Sequence, residues 1–296
     1  MKELYLNISN EKGPVYLNEM HNTIDIQDSK DQTDPSNYSG NENMTPLDGE
    51  MNTRLKNIFG KDDRRPFENP VYPWGCVGIV DVDSVPGING TKGTGILVGP
   101  RHVLTSNHGV ILNKSGGLLP TRFTPAQYKS TKPYGDSKVV TALWWCKVPN
   151  GGLTETEKAV DYAILILDKP LGNAKNLGWM GTSVFNETDR NLGWSHIGYP
   201  GFQTVPHFQK NIDIIKALPK ICRPKYDPKI EVHGVLLGTD ADQESGQSGG
   251  PLWRFDNGPR IIGVLSGITN DAERFSVFSG GKAMVDLVNF ARNKYK

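Results

Sequence analysis

Short apolar runs separated by Gly, Pro, Asn and Asp follow one another along the chain from Trp74 onwards. Runs of this kind between turn-forming residues are typical of antiparallel strands. The pattern therefore predicts an all-β body made of two halves. The predicted strands are Cys76 to Val82, Thr94 to Val98, His102 to Ser106, Lys138 to Cys146 and Ala163 to Leu167, then Ser195 to Ile197, Ile230 to Leu237, Pro251 to Trp253, Arg260 to Gly267 and Phe275 to Phe278.

The final segment has a different pattern, because Met284, Leu287, Val288 and Ala291 recur at helical spacing. This spacing predicts a C-terminal helix that packs one face on the body. A chain of 296 residues is long enough for two modest folding units of about 150 residues each. We expect the linker between them at residues 169–178.

Composition and charge exclude several classes of partner and site. The formal net charge is +1 and Lys and Arg form no long run, so no nucleic-acid partner is expected. No apolar stretch approaches the length of a membrane span, so no membrane partner is expected either. The three cysteines are too few for a disulfide scaffold, although one pair could form. The histidines are scattered and there is no Cys-Xaa-Xaa-Cys motif, so we expect no metal site.

Residues 1–57 differ in charge from the remainder, with ten acidic residues against five basic ones. Residues 25–43 lack the apolar periodicity that could offset the entropy of ordering them. We therefore interpret residues 1–57 as an acidic, flexible arm. The composition allows two roles for it, a removable pro-segment that docks on the basic body or a solvated tail.

The glycine-rich stretch at residues 242–251 can present a nucleophile. Glycines lie on both sides of Ser248 and allow tight turns without the penalty of a Cβ atom. The backbone N–H groups of Gly246 and Ser248 can then face the same way and form an oxyanion hole. A serine hydroxyl is a weak nucleophile until a base takes its proton, so a histidine and an orienting acid are also required.

Both partners are present in the sequence. His108 follows a strand-like apolar run, and Asp161 stands at the start of another one. Each residue alone is most simply explained as a turn residue or a satisfied polar side chain. Together they place a base, an acid and a nucleophile in the order His, Asp, Ser.

These three motifs, spread from Gly93 to Pro251, resemble those of the chymotrypsin-like (trypsin-like) serine proteases. The resemblance implies two antiparallel β-barrels of the six-stranded type, with the active site between them, followed by the C-terminal helix. Residues 58–175 would form the first barrel with His108 and Asp161, and residues 176–296 the second barrel with Ser248. The implied activity is hydrolysis of polypeptide substrates through an acyl-enzyme intermediate, with no cofactor. Trypsin-like digestive enzymes also have a cysteine directly after the histidine, where this chain has Gly109.

The stretch from Asn57 to Trp74 looks like the mature amino terminus of the bacterial glutamyl endopeptidase branch of this family. That likeness implies a zymogen whose pro-segment is removed just before Ile58. It also implies secretion, although no ordinary signal peptide is visible in the sequence. Gln247 replaces the aspartate that pairs with the new amino terminus in trypsin-like zymogens, so activation would use another contact.

The resemblance assigns substrate binding to Asp242, Gln243 and Ser266. Asp242 stands where trypsin carries the carboxylate that selects Arg or Lys, which would favour a basic substrate residue. It is equally compatible with a solvated loop acid. Leu265 replaces the histidine that helps glutamyl endopeptidases hold an acidic side chain, so a strict preference for Glu is not expected.

Two other functions remain open at this stage. Residues 105–108 also resemble the histidine motif of HtrA-type housekeeping proteases, which usually add a peptide-binding PDZ domain; about 45 residues follow Ser248, too few for one. A catalytically inactive protease fold that acts as a binding module would lack a triad member, and none is lost. The sequence leaves the oligomeric state open.

Overall fold

The computed structural model describes residues 5–6, 15–16, 32–37, 56–114, 116–225, 228–269 and 273–296. In the N-terminal region the strands are β1 (Tyr5–Leu6), β2 (Val15–Tyr16), β3 (Gln32–Thr33), β4 (Lys56–Asn57) and β5 (Arg65–Pro66). They are followed by β6 (Val77–Val82), β7 (Thr91–Gly99), β8 (His102–Thr105), β9 (Thr121–Pro125), β10 (Ser137–Leu143) and β11 (Ala163–Leu167), with helix α1 (Glu155–Lys158) before β11. The remaining elements are β12 (Gly181–Ser183), β13 (Trp194–Gly198), β14 (His207–Ile212), β15 (Ile214–Cys222), β16 (Val232–Thr239), β17 (Gln243–Glu244), β18 (Pro251–Phe255), β19 (Pro259–Ile268), β20 (Ser276–Gly280) and α2 (Lys282–Lys294).

Strands β6 to β11 close into a six-stranded antiparallel barrel in the order β10-β11-β8-β7-β6-β9. All five residues of β11 are buried, which explains why this strand reads as an unbroken apolar run. The five predicted strands of the first half each overlap a strand of this barrel. Strand β9 was not predicted, because Arg122 is exposed and Pro125 ends the strand.

The second unit is a ten-stranded sheet whose main path runs β15-β16-β20-β19-β18-β13-β14-β5. Its predicted strands overlap β13, β16, β18, β19 and β20. Strands β12, β14 and β15 were not predicted. Strand β15 lies at one end of the path and places several side chains in solvent, so it lacks a continuous apolar run. A closed barrel, a second sheet and a C-terminal helix together confirm the predicted all-β double-barrel class.

Helix α2 packs against both units, and its predicted apolar face is confirmed. Met284, Leu287, Val288 and Ala291 are all fully buried. The indole of Trp145, next to the first barrel, donates a hydrogen bond to the carbonyl of Ala283 at 2.7 Å. The helix therefore closes one side of the contact between the units.

Residues 56–76 run along the second unit before the chain enters the first barrel. Strand β5 pairs with β14, and β4 pairs with β17 directly before residues 245–250, which we call the serine loop. The Trp74 ring then lies edge-on to Trp253 and Phe208, with centroid distances of 5.0 and 5.2 Å. The segment predicted to begin the first barrel thus makes its contacts on the second unit.

Residues 32–37 of the acidic arm lie against the second unit, where Gln32–Thr33 pairs with β12 as strand β3. The flexibility expected for residues 25–43 stays a prediction. Thr33 Oγ1 and Thr182 Oγ1 are 2.8 Å apart, and Arg260 donates to the Thr33 carbonyl at 2.7 Å. Ser36 donates its backbone N–H to the Trp179 carbonyl at 2.9 Å. These long-range hydrogen bonds, which no local pattern reveals, offset the entropy of ordering the segment. Residues 25–31 and 38–43 lie outside the described residues.

The three cysteines, Cys76, Cys146 and Cys222, are free and buried. Cys146, beyond β10, and Cys222, at the end of β15, are neighbours, and the Cys222 thiol together with burial raises the pKa of Cys146. Within the described part of the chain, no helix is long and apolar enough to cross a membrane. No group of three or more His, Cys, Asp or Glu side chains in that same part is arranged to hold a metal ion.

Candidate active site

The pairing of two barrel strands brings His108 and Asp161 together. Strand β8 ends three residues before His108, and β11 begins two residues after Asp161. Because β8 and β11 are antiparallel, with Thr105 opposite Ala163, the chain segments that leave β8 and enter β11 lie at the same end of the barrel. The two predicted catalytic residues therefore meet although they are 53 positions apart.

The Asp161 carboxylate is fully buried and accepts three hydrogen bonds. Its Oδ1 atom accepts the backbone N–H of His108 at 2.7 Å, and its Oδ2 atom lies 2.6 Å from His108 Nδ1. The Ser266 hydroxyl, from β19 of the second unit, donates to Oδ2 at 2.6 Å. These contacts orient the imidazole ring and leave its Nε2 atom for another partner.

The protonation of His108 is set by opposing effects. Burial of the ring disfavours the imidazolium, but the negative charge of Asp161 and its hydrogen bond outweigh burial and raise the pKa of His108 above its ordinary value of 6.5. The nearby Lys147 ammonium acts in the lowering direction. The ring is thus a stronger base than a free histidine.

Lys147 holds the loop that carries His108. Its ammonium donates to the Asn107 carbonyl at 2.8 Å, to Asn107 Oδ1 at 2.9 Å and to the Val110 carbonyl at 2.8 Å. Burial lowers the pKa of Lys147 to about 8, while the charge of Asp161 opposes this change. One side chain therefore fixes the backbone on both sides of the histidine.

Thr94 of β7 fixes the serine loop against the first barrel. Its backbone N–H donates to the Ser248 carbonyl at 2.8 Å, and its hydroxyl donates to the Gly246 carbonyl at 2.9 Å. The loop approaches so closely that a Cβ atom on Gly249, which has φ of 87°, would lie 2.2 Å from the Thr94 carbonyl oxygen. A glycine is therefore required here by both the backbone conformation and the available space.

His108, Ser248 and Gly246 line one cleft of about 240 Å³. Its remaining wall comes mainly from the first barrel. The structure therefore brings the predicted base, nucleophile and oxyanion-hole glycine to one solvent-accessible site.

Arg64 supports the residue before the predicted nucleophile. Its guanidinium is fully buried and donates to Gln247 Oε1 at 2.7 Å. The same Oε1 atom accepts the Glu244 backbone N–H at 2.9 Å, so it bridges the two ends of the loop turn. Two further Arg64 nitrogens donate to the Asp62 carboxylate at 3.1 and 2.9 Å. The amide of Gln247 is thereby held in place without an ion pair of its own.

The three predicted substrate-binding residues have other contacts. Asp242 is 1% exposed, and its carboxylate accepts the backbone N–H groups of Phe59 at 2.7 Å and Asp63 at 3.3 Å. Burial raises the pKa of Asp242 to about 6. Gln243 pairs with Asn57 through the backbone, and Ser266 donates to Asp161. Contact of these residues with substrate stays a prediction, and the geometry favours anchoring roles.

Three supporting residues were not predicted from the sequence: Arg64, Thr94 and Lys147. Arg64 and Gln247 are 183 positions apart, and Thr94 and Gly246 are 152 apart. No local pattern reports such contacts. One usable signal was the charge of Arg64 beside the Asp62-Asp63 pair, in a segment already noted for its likeness to a mature terminus.

Comparison with known proteins agrees with this geometry. The trypsin family model, described as "Trypsin", matches residues 80–287, which is well over half of the chain. The chain belongs to the trypsin family. A search of curated proteins found no match.

Solved structures similar to this trypsin-family chain include a Glu endopeptidase determined in complex with MPD, at 20% sequence identity and a TM-score of 0.59, covering 80% of this chain and 100% of that one. The protease Anisep from Arthrobacter nicotinovorans is 15% identical, with a TM-score of 0.53 and coverage of 75% and 97%. The thermostable serine protease AL20 from an extremophilic microorganism is 16% identical, with a TM-score of 0.51 and coverage of 75% and 98%. At these identities the likeness shows the fold.

We expect Arg64→Met to slow turnover by about 100-fold, because loss of the guanidinium frees Gln247 and displaces the serine loop. It should also lower the free energy of unfolding by about 3 kcal/mol, since acidic groups lose their buried partner. The measurement is kcat on an activated ester together with urea unfolding. Arg65→Met is the matched control, because the neighbouring Arg65 is exposed and bonds to the backbone carbonyls of Asp62 and Arg64. An unchanged kcat in folded Arg64→Met protein would show that the loop does not need this support.

Proposed function

We propose that the protein is a serine endopeptidase that uses Ser248 as nucleophile, His108 as general base and Asp161 as the orienting acid. The observation that carries the proposal is the buried Asp161 carboxylate, bonded to His108 Nδ1 at 2.6 Å, beside a cleft that His108 and Ser248 both line. This is the arrangement that acyl transfer by an activated serine requires.

The reaction proceeds in two halves. In acylation, Ser248 Oγ attacks the scissile carbonyl, and His108 Nε2 takes the hydroxyl proton and passes it to the leaving amine as the C–N bond breaks. In deacylation, a water attacks the acyl ester with His108 again accepting a proton, which then returns to Ser248 Oγ. Asp161 holds the imidazole in the required tautomer and stabilises the imidazolium that forms in each half.

The negative oxygen of each tetrahedral intermediate is assigned to the backbone N–H groups of Gly246 and Ser248. Loss of one such donor costs about 3 kcal/mol in the transition state of comparable sites. Thr94 supports this assignment, because it holds the carbonyls of both Gly246 and Ser248. The donors are therefore fixed before the substrate arrives.

Two rival functions make different demands on the site. An inactive binding module does not need the three hydrogen bonds that orient His108 through Asp161, so the intact constellation favours catalysis. An HtrA-type housekeeping protease would use the same chemistry and differs in its substrates. We do not assign to Asp242 the selection of basic substrate residues, because its carboxylate already accepts two backbone N–H groups.

We expect Ser248→Ala and His108→Ala each to lower kcat by about 10⁶-fold, and the double variant to be hardly worse, because the two residues act as a unit. Hydrolysis of an activated ester and of an unfolded protein substrate would report this loss. Ser130→Ala is the control, because Ser130 is exposed and does not line the cleft. Losses that multiply in the double variant would indicate that another group serves as the base.

The pH dependence of activity should report His108 directly. The neutral imidazole is the base, so kcat/KM should reach its maximum above the His108 pKa and fall as the pH drops below it. The inflection should lie above pH 6.5, because the pKa of His108 is raised from that value. Asp161→Asn removes the charge that raises this pKa, so the inflection should move to lower pH while kcat falls by about 10⁴-fold. Asp168→Asn, at the exposed far end of β11, is the control. An inflection that stays in place in Asp161→Asn would contradict the assignment.

We also propose that residues 1–57 are a pro-segment, that cleavage occurs near residues 56–58, and that the mature enzyme is secreted. In support, Lys56–Asn57 pairs as a strand with Gln243–Glu244, directly before the serine loop. Cleavage near this strand would therefore change the contacts that hold the serine loop. Intact-mass measurement and amino-terminal sequencing of protein from cells and from the surrounding medium would test both points. Active protein that still begins at Met1 would contradict the pro-segment.

A further inference from the structure

The cleft beside Ser248 extends well beyond the reacting groups. Its volume of about 240 Å³ exceeds the roughly 150 Å³ of an apolar cavity that accepts benzene. Val80, Val82, Val110 and Leu118 line it, and the first three of these are at most 5% exposed. The space is therefore large enough, and apolar enough, for one aromatic or branched aliphatic side chain.

The absence of two side chains keeps this space open. Gly93 and Gly109 both line the cleft. A Cβ atom on Gly93 would lie 3.3 Å from the Ser248 carbonyl oxygen, and one on Gly109 would lie 3.4 Å from Ser106 Oγ. Neither position has the positive φ that would demand glycine. Both glycines therefore leave volume unfilled immediately beside the base and the nucleophile.

The position of the cleft identifies which half of a substrate it faces. His108 must give its proton to the leaving amine, so the leaving group lies beside the imidazole ring. The cleft contains Gly109 and Val110, which follow His108, and its other walls come from the first barrel. From the second unit it contains Ser245, Gly246 and Ser248, and neither Asp242 nor Ser266 lines it. It therefore continues from the leaving-group side of the scissile bond.

Its polar groups also limit what can bind. Thr105 donates its hydroxyl to the Thr94 carbonyl at 2.7 Å, and Thr121 donates to the Leu119 carbonyl at 2.8 Å, so these two hydroxyls are already used within the wall. Lys92 adds a positive charge, with its ammonium 3.9 Å from the Asp81 carboxylate. A Lys or Arg side chain entering the cleft would meet this charge and lose its own hydration.

We propose that this cleft is a specificity subsite for a large apolar side chain on the residue directly after the scissile bond. The inference rests on the proposed function, because it concerns the leaving group of the same acyl transfer. Burial of such a side chain contributes binding energy that a glycine at that position cannot supply. Cleavage should accordingly be fastest before Phe, Leu or a similar residue.

The subsite can be tested by measuring how the acyl-enzyme divides between reaction with water and reaction with an added amide. This test does not require knowledge of which residue the enzyme prefers before the scissile bond. A 4-nitrophenyl ester of a small acyl group forms the acyl-enzyme, which then reacts either with water or with an added amino-acid amide that occupies the leaving-group side. We expect the amides of Phe and Leu to be used about 10-fold or more better than those of Gly and Lys. The measured quantity is the ratio of aminolysis to hydrolysis for each amide. Hydrolysis of the same acyl-enzyme serves as the reference reaction in every case.

Variants of the wall make the test specific. Leu118→Trp fills the cleft and should reduce the preference for Phe amide over Gly amide several-fold, and Leu118→Ala should weaken it by removing apolar contact. Leu192→Ala is the control, because Leu192 is 47% exposed and lies in the second unit, where it should leave the ratios unchanged.

The outcomes separate the two proposals. A burst of 4-nitrophenol with equal use of all amides would overturn the subsite and leave the serine protease assignment intact. Preferred use of Lys or Glu amide would overturn the apolar character of the subsite. Absence of an acyl-enzyme in wild-type protein that has been cleaved near residues 56–58 would overturn both proposals.

Discussion

The buried carboxylate of Asp161 is the interaction on which the rest of the structure depends. A buried charge is stable only when it is well compensated, and removal of one partner of such a charge costs about 3–5 kcal/mol. Here the donors come from both units, with His108 from the first barrel and Ser266 from the second. Docking of the units therefore completes the hydrogen bonding of the carboxylate that orients the imidazole.

The serine loop is held by a second set of contacts across the same junction. Thr94 reaches from β7 to the carbonyls of Gly246 and Ser248, while Arg64 holds Gln247 from the opposite direction. Arg64 belongs to a segment that precedes the first barrel yet packs on the second unit. The segment from residue 56 to residue 76 is therefore part of the site's support, and its position explains how events at the amino terminus could affect catalysis.

The sequence predicted the parts of the site that have local signatures. Ser248 lies among glycines, and His108 and Asp161 lie beside apolar strands, so motif and order together predict them as catalytic residues. The supporting residues are set by contacts between distant parts of the chain, and no spacing rule reports that Thr94 faces Gly246. The contacts of residues 32–37 have no local signature for the same reason, because Arg260 and Thr182 are distant in sequence. For Asp242 the sequence position suggested a substrate-binding carboxylate. In the structure this carboxylate accepts backbone N–H groups of Phe59 and Asp63, which favours an anchoring role.

We propose that docking of the two units creates a single activated serine at residue 248. The most direct measurement is reaction with a fluorophosphonate probe, followed by proteolysis and mass spectrometry to locate the adduct. We expect one adduct on Ser248, formed at a rate that rises with pH as His108 loses its proton. We expect no adduct in Ser248→Ala. Equal labelling of wild-type protein and Ser248→Ala, or an adduct on another residue, would contradict it.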